Sequence, residues 1–144
     1  MYKVFHFLSS PYSSPEGHIR LLRTTLAAQA VIHAAKSFTH FYSPVVHGHF
    51  VEELGQHEMP YNYWLDHCFC MLRKSASVKV LTIPGWANSK GVEREIEEAK
   101  RNHIPVDYIG VAEYCNIEAA ATLLDMSGAD AVKELLKNAV RHPD

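Results

Sequence analysis

Short apolar runs and longer helical stripes alternate along this chain. Val4 to Ser9 is a brief apolar run that predicts a first strand. Ser9-Ser10-Pro11-Tyr12-Ser13-Ser14-Pro15 then forms a hydroxyl-rich loop broken by prolines. From about Glu16 to Ser37, Leu22, Leu26, Ala30 and His33/Ala34 recur near helical spacing and predict a long helix. Phe38 to Val46 reads as a second strand interrupted by Pro44. The segment from Val46 to Pro60 reads as irregular, and a loop of that length is often functional. Tyr61 to Lys74 predicts a second helix, with Tyr61, Leu65, Cys68, Phe69 and Leu72 on one face. Val78 to Ile83 is a third strand, stopped by Pro84-Gly85-Trp86. Asn88 or Ser89 caps a third helix running to about Asn102. Pro105 to Ile109 is a fourth strand, and Ile117 to Val140 holds one or two helices split near Ser127-Gly128.

Strands alternating with helices predict a parallel sheet covered on both faces, because parallel crossovers place a helix between strands. Ligands of such sheets bind beyond the carboxyl ends of the strands. The loops 9–15, 43–60 and 84–91 are therefore expected to line one site.

Composition narrows the possibilities. The 144 residues fit one domain, and 47% hydrophobic with 21% charged residues is ordinary for a protein burying one core. A net charge of -2 gives no electrostatic case for nucleic-acid binding. No run approaches the roughly 20 apolar residues of a membrane span. The first eight residues read as a strand and not as a signal peptide. Three cysteines, Cys68, Cys70 and Cys115, cannot all pair within one chain and suit a reducing compartment. The expectation is a cytoplasmic protein with no nucleic-acid or membrane partner.

The helix after Ser89 carries the candidate chemistry. Val92, Ile96, Ala99 and His103 form one stripe that should pack on the sheet. Of its carboxylates, Glu95 lies nearest that stripe, Glu93 slightly farther, and Glu97 and Glu98 point toward solvent. Glu95 could face a ligand held at the helix N-terminus; an ordinary surface glutamate is the plainer explanation. Asn88-Ser89-Lys90-Gly91 could bind an anion with its free amides, or simply cap the helix. Asp66, on the flank of the preceding helix, could be a second acid. Ser9, Ser10, Ser13 and Ser14 could bond a phosphate or sugar, although turn chemistry explains them equally. Arg20 and Arg23 could reach a phosphate or lie on a solvated helix face. Trp86 is the better placed of two tryptophans to stack on a base. His47, His49, His57, His67, Cys68 and Cys70 lack the paired, recurring spacing of a zinc site, so no metal is expected.

Several of these stretches together resemble the nucleoside 2-deoxyribosyltransferase-like superfamily. They are Phe7 to Tyr12, Phe41 to His49, Trp64-Leu65-Asp66, and Pro84 to Ala99. The match is nearest to a small bacterial and phage branch and covers roughly residues 2 to 110, in order. The resemblance implies a flavodoxin-like (Rossmann-like) three-layer sandwich with a mostly parallel sheet of four to five strands. It also implies a homodimer or larger homo-oligomer and no cofactor. The implied activity is cleavage or transfer at the N-glycosidic bond of a nucleoside or nucleoside 5'-monophosphate. By the same resemblance, the pattern Gly-Val-x-x-Glu-Ile-x-x-Ala makes Glu95 the nucleophile and Asp66 the assisting or sugar-positioning acid. Ser89 matches a phosphate contact. Phe7, Ser9, Ser10, Tyr12, Arg20, His47, Trp86 and Gly91 complete the expected substrate contacts.

Two positions depart from the superfamily pattern. Phe7 stands where a tyrosine usually orients the glutamate, and phenylalanine cannot donate that hydrogen bond. Arg73 to Ser77 lacks the aspartate common before the third strand. A non-catalytic nucleotide-binding module of the same fold is accordingly the rival expectation.

Overall fold

A computed structural model describes residues 3–141, with side chains described as far as residue 137. Residues 1, 2 and 142 to 144 of the expected single domain lie outside it. Four strands, β1 (His6–Ser9), β2 (Phe41–Tyr42), β3 (Val78–Leu81) and β4 (Val106–Ile109), form one sheet in the order β2-β1-β3-β4. Every pairing is parallel; Phe7 sits opposite both Tyr42 and Val78, and Val80 opposite Tyr108.

The helices are α1 (Gly17–Ala35), α2 (Pro44–Gly55), α3 (Tyr61–Leu72), α4 (Lys90–Arg101), α5 (Val111–Tyr114), α6 (Ile117–Thr122) and α7 (Gly128–Arg141). Successive side chains of a strand point to opposite faces, so the sheet separates two cores. Leu8 and Leu81 pack against Leu22 and Leu26 of α1, with Ala120, Ala131 and Leu135 from the tail. Phe7, Val78 and Val80 pack on the other face against Leu72 of α3 and Val92 and Ala99 of α4. This is the expected α/β sandwich, flavodoxin-like, with a four-stranded, wholly parallel sheet.

The region after β2 differs from the sequence reading. The second strand has two residues, not the nine from Phe38 to Val46. Most of the segment expected to be irregular is α2. Ser43 caps it by accepting from the Val46 amide at 3.1 Å, and Pro44 occupies the first turn. Proline is favoured there because the missing N–H would lack an intrahelical partner anyway. Gln56, left-handed at φ 54°, ends the helix. The apolar pattern did not expose α2 because Phe50, Val51 and Leu54 lie on its outer side. Among the described residues, no helix is long and apolar enough to cross a membrane.

Candidate functional site

The carboxyl end of β1 is tied to α4 by a side-chain bond. Gly85, at φ 90°, turns the chain after β3 into a single 3-10 turn, Trp86–Asn88. Ser89 then caps α4, its hydroxyl accepting from the Val92 amide at 3.2 Å. This cap fixes the phase of the helix and brings Glu95, in the second turn, over the end of β1. The Ser9 hydroxyl donates to Glu95 Oε1 at 2.5 Å. Ser9 is fully buried and Glu95 is only 9% exposed. A short bond from a neutral hydroxyl to a buried carboxylate fixes the carboxylate's orientation without neutralising it.

Phe7 is fully buried one pleat earlier, its ring 6.1 Å from that of Tyr42. Tyr42 therefore puts a phenol beside Phe7, but its hydroxyl bonds His67 Nε2 at 2.7 Å. Burial, with Cys68 and Tyr63 adding to it, pushes the Tyr42 phenol above its ordinary range. Burial also pushes the Cys68 thiol up, and the charge of Glu95 raises it further. Both effects disfavour the thiolate of this half-buried cysteine.

The loop after β1 is pinned from two sides. Arg23, expected to be either a phosphate contact or solvated, is fully buried and donates to the carbonyls of Tyr12 (3.1 Å) and Ser13 (2.7 Å). Arg20, half-buried, donates to the Ser14 carbonyl. Tyr12 Oη lies 2.7 Å from His49 Nδ1 on α2. Ser10 Oγ is buried within this loop with no hydrogen-bond partner among the described residues. A buried hydroxyl left so is costly unless something else bonds it.

Other expected residues are placed differently. Asp66 is exposed on α3. His47 is exposed on α2 and stacks on His67, rings 4.9 Å apart and 7° from parallel. Trp86 is half-buried, with one side against Tyr108 at 5.5 Å. Gly91 sits in the first turn of α4, half-buried.

Two readings of α4 are corrected. His103 is exposed beyond the helix end at φ 57°, so it is not part of the packing stripe. Glu98, expected in solvent, is 1% exposed. It accepts from Arg73 Nε at 2.6 Å, Arg101 at 2.5 Å and the Asn102 amide at 3.1 Å. Burial alone would raise its carboxyl; the bonds from Arg73 and Asn102 and the two guanidinium charges outweigh that and hold it below the ordinary range.

The histidines and cysteines considered for metal binding do not converge on a common point. Among the described residues, Glu16, His18 and Glu134 do gather their ligand atoms, within 4.8 Å of one another. There His18 pairs with Glu16 at 3.4 Å and with Glu134 at 3.8 Å, at the start of α1.

Sequence reasoning considered His49 only as a metal ligand and missed its pairing with Tyr12 and Glu53, and the clamping role of Arg23. The i, i+4 spacing of His49 and Glu53 is a signal only once Pro44 to Gly55 is recognised as helix.

The strand order, the helices on both faces and a capped helix presenting a buried carboxylate at the sheet's carboxyl edge define a flavodoxin-like α/β domain with an edge site. The chain belongs to the family described as Domain of unknown function (DUF1937), which it matches over residues 4–111. No curated protein matches it. The family match therefore takes in the whole sheet, α4 and the candidate site, and ends where the helical tail begins.

Proposed function

We propose that this domain cleaves, or transfers across, the N-glycosidic bond of a nucleoside or nucleoside 5'-monophosphate, with Glu95 as nucleophile. One observation carries the reading: the bond from Ser9 to Glu95. It supplies to the carboxylate the donor that Phe7 cannot, and it leaves the anionic charge available for attack. The anomeric carbon would accept a carboxylate oxygen as the base departs, and the resulting glycosyl ester would pass to water or to another base. Ser10, Ser89 and Gly91 suit contacts to sugar or phosphate, and the first amides of α4 favour an anion. The chemistry requires no cofactor. The working unit is taken to be a homodimer or larger assembly in the cytoplasm.

The rival reading is a module that binds a nucleotide without turning it over, which the exposure of Asp66 favours. Incubation with a panel of nucleosides and nucleotides separates the two. Release of free base that disappears in Glu95→Ala supports the enzyme. Saturable binding with no base released at any enzyme concentration supports the module.

A further inference from the structure

A second chain of polar groups runs from the same edge of the sheet to solvent. Tyr12 Oη lies 2.7 Å from His49 Nδ1, and His49 Nε2 lies 3.1 Å from Glu53 Oε2, four residues on along α2. Its middle is buried and its far end is in solvent: Tyr12 is half-buried, His49 is 9% exposed, and Glu53 is 66% exposed. The Nε2 approach to Glu53 has the distance of an ion pair without hydrogen-bond alignment. An exposed carboxylate can swing into line.

The order of protons follows from what each atom faces. Nε2 faces a carboxylate, which only accepts, so the imidazole hydrogen belongs on Nε2. Nδ1 is then bare and accepts the Tyr12 hydroxyl hydrogen. This is the hydroxyl–imidazole–carboxylate arrangement by which an oxygen is made a better proton acceptor. Burial raises the Tyr12 phenol above its ordinary value, with Arg20 opposing and Glu52 and Glu53 adding to the rise. A free phenolate is accordingly disfavoured at Tyr12.

Resting on the glycosidase reading above, we infer that Tyr12, His49 and Glu53 form the proton relay that activates water as acceptor, which makes the reaction a hydrolysis. Asp66, the acid that the resemblance would assign to this step, is exposed on α3, which leaves the activation of water to another group. In the step proposed, water gives a proton to the Tyr12 oxygen while the Tyr12 hydrogen passes to His49 Nδ1. The water oxygen bonds to the anomeric carbon. The bond from that carbon to Glu95 breaks, and its electron pair returns to the carboxylate. His49, now doubly protonated beside Glu53, releases the extra proton to solvent at the exposed end.

The test compares wild type, Tyr12→Phe, His49→Gln and Glu53→Gln with the best nucleoside or nucleotide from the panel in excess. The Tyr12 and His49 variants are expected to release the first equivalent of base at the wild-type rate and then turn over about 100-fold more slowly. Glu53→Gln should show a smaller fall of the same kind. Azide, a nucleophile that needs no proton removed, should restore turnover and yield the glycosyl azide. If first release and turnover fall together, or neither falls, or azide does not rescue, the relay is wrong while the glycosidase reading stands. Absence of base release from wild type itself overturns the glycosidase reading and the relay with it. Should His49→Gln misfold by circular dichroism, Tyr12→Phe, which keeps the ring, decides the question.

Discussion

Glu95 and Glu98 stand three positions apart on the same side of α4, both buried, and their surroundings make them different groups. Glu98 is enclosed by Arg73, Arg101 and Asn102. Its charge is matched by guanidinium, and its bond to Arg73 ties α4 to the end of α3. Glu95 lies one turn nearer the helix N-terminus, over the carboxyl end of β1, and receives a neutral hydroxyl. Burial alone therefore does not mark a reactive carboxylate. The charge of its partners and the edge of the sheet it faces do. A carboxylate enclosed by guanidinium stabilises the fold; one oriented by a neutral hydroxyl at the carboxyl edge of the sheet is the candidate to meet a ligand.

The sharpest way to break the comparison is to remove each carboxylate in turn. Glu95→Ala is expected to lower base release by about 10⁴-fold or more, as loss of a nucleophile does, with the fold retained by circular dichroism. If Glu98→Ala, measured as folded protein, loses as much activity as Glu95→Ala, the division of roles is wrong.

Next in size is the orienting bond. Ser9→Ala removes a donor to a charged acceptor while changing side-chain volume little. A bond of that kind contributes about 1.5–3 kcal/mol, so kcat is expected to fall about 10- to 100-fold while the KM for substrate changes much less. A Ser9→Ala protein as active as wild type would mean that Glu95 is positioned without the hydroxyl.

The third effect belongs to stability. Glu98→Ala deletes the acceptor shared by two arginines and an amide, and urea denaturation should show a loss of about 1–3 kcal/mol. The lower part of that range is expected because Arg73 and Arg101 are 52% and 69% exposed, so solvent screens their attraction. Glu95→Ala should cost less, or nothing, in the same measurement.

Much of this contrast was legible in the sequence, but not the half that concerns Glu98. The periodicity of Val92, Ile96 and Ala99 sets the phase of α4, and the Ser89 cap sets its start, so Glu95 was read near the buried side. Helical rotation alone treats a charge off the stripe as exposed, and so puts Glu98 in solvent. Its burial depends on Arg73, 25 residues earlier and at the end of a different helix. The same limit hid Arg23, whose partners are carbonyls of the preceding loop, and hid α2, whose outward apolar side chains blur its period. Local pattern locates elements well. It does not show which charges from distant elements will meet, and those meetings decide whether a buried ionisable group is structural or available.

The smallest effect, and the one that isolates the charge on Glu98 from its packing, is the response to acid. Its carboxyl is held below the ordinary value of 4.5 in the folded protein, whereas the unfolded chain returns it to that value. A group depressed by folding adds stability that is complete above the unfolded pKa and is lost as pH falls through the folded one. Glu98→Gln keeps the shape and an acceptor oxygen but cannot titrate. The stability difference between wild type and Glu98→Gln should therefore be constant from neutral pH down to about 4.5 and narrow below it. Urea midpoints measured at half-unit steps from pH 7 to about 3 would follow this, with Glu95→Gln as the parallel variant. A gap that stays constant through the acid range would show that Arg73 and Arg101 hold Glu98 by shape and hydrogen bonding alone. The electrostatic contrast between the two glutamates would then fail, even if the catalytic one held.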